Sequence, residues 1–420
     1  MGAISAQTPW NTLCKRTFSL GAMTPPLQLG SRVLDRNGLA ALIAALRSDG
    51  RTVIGPTVRD GAITLGELTG LGDLPEGWTD RQEPGRYRLE RRPDQALFGY
   101  VVGPHSFKAS FFVPRLVLLR ARRADGSFVV LDEPRPAAPP LALLGARACD
   151  IAALGVQDRA LAGGRFTDAD YVERRRDVFV VAVNCGQAGG SCFCVSMGTG
   201  PRAEGDFDLA LTEILEGDHR FLVDVGTERG ARLLGGLPTR EANDVDRAAA
   251  GGAIAAAANA MGKKLDTRGI RELLHAAVEH PQWDAVATRC LSCTNCTMVC
   301  PTCFCSTVED TTDLAGVAER TRRWDSCFTA SHSYVHGGSV HASTASRYRQ
   351  WLTHKLASWI DQFDESGCVG CGRCITWCPA AIDITAEVAA IRAAPVVPPP
   401  PRSLPRPAEP PIGPPPTTET

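Results

Sequence analysis

Two runs of four cysteines share one spacing, and each run ends in a proline. They are Cys290, Cys293, Cys296 and Cys300, followed by Pro301, and Cys368, Cys371, Cys374 and Cys378, followed by Pro379. Three cysteines two residues apart can reach three corners of an iron–sulfur cubane, and the fourth stands beside a proline that fixes the chain direction. This spacing is typical of [4Fe-4S] ferredoxins, whereas zinc ribbons use paired CxxC motifs. We therefore predict two [4Fe-4S] clusters.

The fourth cysteine of each run is expected to bind the cluster of the other run, as in two-cluster ferredoxins. Cluster 1 then takes Cys290, Cys293, Cys296 and Cys378, and cluster 2 takes Cys368, Cys371, Cys374 and Cys300. A long insertion, residues 301–367, leaves an alternative in which Cys300 groups with Cys303, Cys305 and Cys327. Those three thiols could also form a separate centre with a non-cysteine ligand, or be buried small residues.

Four more cysteines follow apolar or glycine-rich segments in the first half of the chain. Cys149 follows LALLGAR, Cys185 follows VFVVAVN, and Cys192 and Cys194 lie in CGQAGGSCFC. If the two apolar runs are parallel strands, their carboxyl ends meet at the edge where open α/β sheets build sites. Cys149, Cys185, Cys192 and Cys194 are thus candidate ligands of a third [4Fe-4S] cluster, and the alternative is a set of reduced core thiols.

The composition narrows the class of protein. The positive charges of 45 Lys and Arg residues nearly cancel the negative charges of 46 Asp and Glu residues. The chain therefore lacks the excess positive charge that nucleic-acid binding needs. No apolar run approaches the roughly 20 residues of a membrane span, and the N-terminus lacks the order of a signal peptide. We therefore expect a cytoplasmic protein. Disulfides are rare in that compartment, so 16 cysteines indicate metal or redox chemistry.

The elements that position these cysteines begin with short β-rich runs alternating with helical patterns. The runs cover residues 52–56, 116–120, 128–131, 141–146 and 178–184, and the spacing over 37–48 predicts a helix capped by Asn37. Strands separated by helices indicate an α/β domain with at least partly parallel pairing.

The chain divides into five predicted parts. They are a disordered leader (1–22), an α/β domain (23–240), a helical connector (241–285) that Pro281 stops, a mainly helical, ferredoxin-like domain for two [4Fe-4S] clusters (286–392), and a proline-rich disordered tail (393–420). The two cluster motifs lie within 281–311 and 359–389. Apolar residues at helical spacing predict an amphipathic helix over the cysteine centre: Tyr348, Trp351, Leu352, Leu356, Trp359, Ile360 and Phe363.

Several segments carry a family resemblance. They are CLSCTNCTMVCPTCFC, RRWDSC and CVGCGRCITWCPAAID, with ARACDIAAL, VNCGQAGGSCFCVSMGTGP and DFDLALTE upstream. These segments resemble the iron–sulfur β subunit of cytoplasmic NAD(P)-linked [NiFe] sulfhydrogenases and the related electron-transfer subunit of anaerobic sulfite reductases. The resemblance spans about residues 24–392. It implies an electron-transfer subunit lying between two partners, one that binds flavin and NAD(P) and one that is catalytic.

The chain has no strand–GxGxxG–helix fingerprint and no GxxxxGK[ST] motif, so we expect flavin and nicotinamide on a partner. It also has no paired CxxC motifs suited to a nickel–iron centre, so we expect no catalytic residues here. We predict a relay of single electrons to a [NiFe] hydrogenase subunit. The alternatives are a sulfite reductase as the terminal enzyme and, from another class, an iron–sulfur sensor or a structural metal protein.

Overall fold

The computed structural model describes residues 30–124, 126–131 and 138–394, so the predicted leader and nearly all of the predicted tail lie outside the described residues. The strands are β1 (Arg32–Asp35), β2 (Thr52–Arg59), β3 (Ala62–Glu67), β4 (Trp78–Glu83), β5 (Arg86–Arg91), β6 (Arg115–Ala124), β7 (Ser127–Val130), β8 (Leu141–Ala146), β9 (Phe179–Val183), β10 (Leu209–Ile214), β11 (Arg220–Val225), β12 (Arg240–Glu241), β13 (Ser306–Thr312), β14 (Val317–Trp324), β15 (Tyr334–Val335) and β16 (Gly338–Ser339). The α-helices are α1 (Arg36–Ser48), α2 (Lys108–Phe111), α3 (Ala148–Leu161), α4 (Ala169–Arg175), α5 (Cys194–Met197), α6 (Glu228–Gly235), α7 (Asp244–Asn259), α8 (Ile270–Ala276), α9 (Gln282–Ala287), α10 (Asn295–Met298), α11 (Thr344–Thr353), α12 (Trp359–Phe363), α13 (Arg373–Thr376) and α14 (Ile384–Ala393).

An eight-stranded mixed sheet forms the N-terminal part, in the order β12-β1-β11-β10-β9-β8-β2-β3. Its central strands β2, β8, β9 and β10 pair in parallel, and the flanking strands pair antiparallel. Side chains of β9 alternate between two cores, because successive residues of a strand point to opposite faces. Phe179, Val181 and Val183 join the core that contains α1, and Val180 and Ala182 join the core that contains α3. The predicted α/β character of this part is confirmed.

Helix α1 buries the predicted face, but the predicted cap was wrong by two residues. The Asp35 carboxylate, rather than Asn37, accepts a hydrogen bond from the Gly38 N–H at 2.7 Å. Asp35 is the last residue of β1 and keeps an extended backbone, as an N-cap requires, whereas Asn37 is already inside the first turn.

The insertion between the cysteine runs folds back onto the N-terminal part. Strands β13 and β14 form a hairpin, and β14 pairs antiparallel with β6 in a second sheet, β13-β14-β6-β7. The prediction of a mainly helical cysteine-rich domain did not include this hairpin. None of the helices in the described ranges is both long and apolar enough to cross a membrane.

The aromatic stripe lies on a continuous helix made of α11, a π-helical segment (His354–Ser358) and α12. Tyr348, Trp351 and Leu352 are buried in one apolar cluster with residues of α8, α9, α13 and α14. Helix α8 ends at Ala276, and Pro281, predicted to stop the helical run, stands at the N-terminus of α9. The tight first turn tolerates proline because its N–H would be unpaired there anyway.

Candidate metal centres

A cavity of about 470 Å³, here cavity 1, lies where the two cysteine runs meet. Its wall contains all four thiols predicted for cluster 1, including Cys378 from the second run, together with Cys374. Burial, followed by the negative charge of the Cys378 thiolate, raises the pKa of the Cys296 thiol well above its usual value. The cationic iron–sulfur core of a bound cluster would instead favour the thiolate form of Cys296, because iron replaces the proton on a coordinating thiol.

A second cavity, cavity 2, has a volume of about 320 Å³. The four thiols predicted for cluster 2 line it: Cys300, Cys368, Cys371 and Cys374. Cys374 and Ile384 line both cavities, so the two cavities are neighbours. Each cavity thus contains one thiol from the other cysteine run, Cys378 in cavity 1 and Cys300 in cavity 2.

Two buried donors test whether an anionic, sulfur-rich group fits cavity 1. Tyr348 Oη and Trp351 Nε1 line that cavity and find no acceptor among the described residues. A buried donor without an acceptor costs about 1–3 kcal/mol. Cluster sulfides or thiolates would accept these hydrogen bonds, so the residues present fit a [4Fe-4S] group. In the described parts of the chain, no three His, Cys, Asp or Glu side chains are grouped to hold a single metal ion.

Lys355 supplies a buried positive charge to cavity 2. Its ammonium donates to Cys300 Sγ at 3.2 Å and to Thr302 Oγ1 at 3.0 Å, and the side chain is 5% exposed. Burial alone would lower the pKa of Lys355, but the thiolates around it, led by Cys300, outweigh burial and raise the pKa well above its usual value. This residue lies in the π-helical segment, a feature frequent at functional sites.

Sequence reasoning missed Lys355, although a signal was available. Lys355 lies four residues after Trp351 and four before Trp359, so it is a charged residue within the apolar stripe. A second buried lysine, Lys108, donates to Met298 O at 3.3 Å and stands 4.0 Å over the Trp324 ring. No sequence pattern connected Lys108 to the cysteines.

Replacing Lys355 with methionine should make the potential of the cluster in cavity 2 more negative, by on the order of 100 mV, since a nearby positive charge favours the added electron. Lys355→Arg keeps the charge and is the matched control, with a smaller shift. A redox titration followed by electron paramagnetic resonance measures both. An unchanged potential in a methionine variant with normal iron content would show that this charge does not act on the cluster.

The structure places the four N-terminal thiols, the candidate ligands of a third cluster, near one another. Cys149 and Cys185 follow the parallel strands β8 and β9, while Cys149, Cys192 and Cys194 share one apolar cluster with Cys371. Cys192 Sγ lies 3.9 Å from the carbonyl oxygen of Cys371. Burial, followed by the charges of Cys185 and Cys371, raises the pKa of Cys194 to about 12. This group, here the N-terminal thiol group, therefore borders cavity 2.

Two buried arginines face the N-terminal thiol group and the second run. Arg147 and Arg373 are each 2% exposed, and Arg147 Nε and Arg373 Nη1 find no hydrogen-bond acceptor among the described residues. The Arg147 charge acts on Cys185, and the Arg373 charge acts on Cys371. Arg373 also donates to Asp150 Oδ1 at 2.8 Å. Sequence analysis assigned Arg147 no role, although it lies two residues before Cys149.

The loop that carries the second cysteine run packs closely against the N-terminal thiol group. Gly370 has a φ of +63°, and a Cβ added there would lie 2.7 Å from the backbone of Cys194. The Phe193 N–H donates to Gly370 O at 2.9 Å. Only glycine fits this approach without strain.

Gly370→Ala should therefore lower the free energy of unfolding by at least about 2 kcal/mol, from left-handed strain and overpacking together. Gly251→Ala is the matched control, because Gly251 lies in α7 with open space around it and alanine favours helices by up to about 1 kcal/mol. Thermal unfolding of the holoprotein measures both variants. Equal midpoints would contradict the close packing at Gly370.

The remaining cysteines of the insertion form two contacts. Cys303 hydrogen-bonds with Cys300, and Cys305 hydrogen-bonds with Cys327. The alternative grouping of Cys300 with all three is therefore only partly reproduced by these contacts, since Cys300 also lines cavity 2.

Comparisons with known proteins give the family of this chain. A family model described as a 4Fe-4S dicluster domain matches residues 289–382, which include both cysteine runs. Sulfhydrogenase 2 subunit beta of Pyrococcus furiosus is 34% identical over 244 residues, covering 57% of this chain and 71% of that protein. The chain belongs to the sulfhydrogenase β-subunit family. No solved structure matches it.

Membership in the sulfhydrogenase β-subunit family confirms the resemblance found in the sequence. The chain is an iron–sulfur electron-transfer subunit of the sulfhydrogenase type, and the dicluster match indicates iron–sulfur clusters in its C-terminal part. The sulfite reductase alternative is not favoured.

Proposed function

We propose that this β subunit relays single electrons between two partners, a flavin/NAD(P)-binding subunit on one side and a catalytic [NiFe] hydrogenase subunit on the other. The observation that carries the proposal is the continuity of the thiol groups. Cavities 1 and 2 share Cys374 as a wall, and the N-terminal thiol group lies against Cys371 of cavity 2. A row of adjacent centres is what a relay requires.

We assign cluster 1 to Cys290, Cys293, Cys296 and Cys378, cluster 2 to Cys300, Cys368, Cys371 and Cys374, and a third cluster to Cys149, Cys185, Cys192 and Cys194. Bound [4Fe-4S] clusters would supply one-electron transfer, which divides two-electron nicotinamide chemistry into single steps. The bond chemistry at both ends would belong to the partner subunits.

The protein's own residues hold and tune these centres. Buried aromatic side chains keep water from cavity 1, and Tyr348 and Trp351 direct donors into it. Lys355 and Arg373 offset negative charge from inside the protein, where a charge acts more strongly than in water. Such contacts set the potential of a cluster as much as its ligands do.

The row of thiol groups reaches the protein surface at cavity 1. Cys293 is exposed, and the adjacent Leu291 side chain is 68% exposed beside cavity 1. An exposed leucine next to a candidate redox centre is an appropriate contact for a partner protein, since docking would bury it. Cys185, in the N-terminal thiol group, is partly exposed and gives a second point of access.

Anaerobic affinity purification from the source cells tests this proposal. Two further subunits should co-purify, one containing flavin and one containing nickel, and NAD(P)H should bleach the visible absorption of the clusters in that complex. The isolated β subunit should retain its absorption with NAD(P)H or hydrogen and lose it only with dithionite. Reduction of the isolated protein by NAD(P)H or hydrogen would contradict the relay.

A further inference from the structure

Two thiols outside the proposed ligand set lie together at the open end of the β13–β14 hairpin. Ser306 pairs with Trp324, and the Asp325 N–H donates to Cys305 O at 2.9 Å, so the pairing continues past both strands. This register places Asp325 opposite Cys305, and Cys327, two residues farther along the chain, contacts the Cys305 sulfur. Both the thiol and the backbone N–H of Cys327 donate hydrogen bonds to the Cys305 sulfur.

A histidine and a carboxylate complete the group. His332 Nδ1 and Asp325 Oδ2 are 3.0 Å apart, and their side chains are 22% and 13% exposed. The His332 imidazole stabilises the Cys305 thiolate electrostatically. A carboxylate that orients an imidazole facing a thiol is the arrangement that activates thiols for covalent chemistry.

We propose that Cys305 and Cys327 form a redox-active dithiol–disulfide pair beside the iron–sulfur centres. In the oxidation, the S–H bond of Cys327 breaks, one S–S bond forms between Cys327 and the Cys305 thiolate, and one proton leaves to solvent. The two electrons pass one at a time to a one-electron carrier of the iron–sulfur class, and the reduction is the reverse. The choice of carrier rests on the proposed function.

Three further observations support this pair. Cys305 and Cys327 are each partly exposed, so protons and small reagents can reach them. The hydrogen bond from Cys327, together with His332, overcomes burial and lowers the pKa of Cys305 to about 6, whereas the same contact raises the pKa of Cys327. One thiolate beside one thiol is the starting state for thiol–disulfide exchange. The charge of Cys296, a proposed cluster 1 ligand, also acts on Cys327, so the pair borders that centre.

The test compares anaerobic holoprotein oxidised with thionine and reduced with dithionite, followed by alkylation and tryptic mass spectrometry. Cys327 is the lone cysteine of the tryptic peptide Trp324–Arg347, which makes its state readable. We expect this peptide to be linked to the one carrying Cys305 after oxidation and to be alkylated after reduction. A dithionite titration should also consume two more electrons in the native protein than in Cys327→Ala at equal iron content.

Equal alkylation of Cys327 in both states would overturn the inference, and so would a loss of about four irons in Cys327→Ala, which would make this cysteine a ligand. If the iron content is normal and the alkylation of Cys327 does not change, this inference fails and the proposed electron-transfer function is unaffected. Protein that contains neither iron nor sulfide would contradict the proposed electron-transfer function itself. His332→Ala should slow the alkylation of Cys305 at neutral pH at least about tenfold. His336→Ala, at an exposed histidine of the same loop, is the matched control, and equal rates in the two variants would exclude the role of His332.

Discussion

The single substitutions Cys290→Ser and Cys378→Ser are each expected to remove the same iron–sulfur cluster, although the two residues belong to different cysteine runs. Each single variant should lose about four irons per chain, and the double variant Cys290→Ser/Cys378→Ser should lose no more. Cys290→Ser/Cys300→Ser should instead lose about eight, because cavity 1 contains Cys290 and Cys378 while cavity 2 contains Cys300. Iron and acid-labile sulfide analysis of anaerobic protein measures the difference.

The opposite pattern would support uncrossed ligation. In that case Cys290→Ser/Cys300→Ser would lose only about four irons and Cys290→Ser/Cys378→Ser about eight. The spectrum of the remaining cluster serves as the folding control, since a variant that retains it has kept the packing of the other cavity.

Cys192→Ser/Cys194→Ser is expected to lower the iron content by about four while leaving the spectra of the two C-terminal clusters in place. These thiols lie with Cys149 in one buried group, where Arg147 and Arg373 supply positive charge. Cys14→Ser, at a cysteine without an assigned role, is the control. Unchanged iron in the double variant would remove the third cluster from the proposal and leave a set of reduced core thiols.

The candidate site could be predicted from sequence wherever its geometry is local. The CxxCxxCxxxCP spacing fixes which thiols can reach one cubane, and the apolar runs before Cys149 and Cys185 place those residues after parallel strands. The parallel centre of the sheet follows from the same alternation of strands and helices. The amphipathic helix was equally visible, because its stripe depends only on helical periodicity.

The remaining features depend on contacts between distant parts of the chain. The pairing of β14 with β6 joins residues about 200 positions apart, and no local pattern specifies such a partner. Lys108 lies beside Met298 O and the Trp324 ring, both about 200 positions away in the sequence, and the charges of Cys303 and Cys300 act on it. The cap of α1 was misplaced because Asp35 and Asn37 are both good capping residues and the end of β1 decides between them.

Metal and sulfide analysis of the full chain, purified without oxygen, tests the central claim most directly. The three proposed clusters predict about twelve irons and about twelve acid-labile sulfides per chain, with broad visible absorption that dithionite bleaches. Colourless protein containing zinc and no sulfide would contradict the claim, because the cysteines of cavities 1 and 2 would then hold single metal ions and no electron could pass between them.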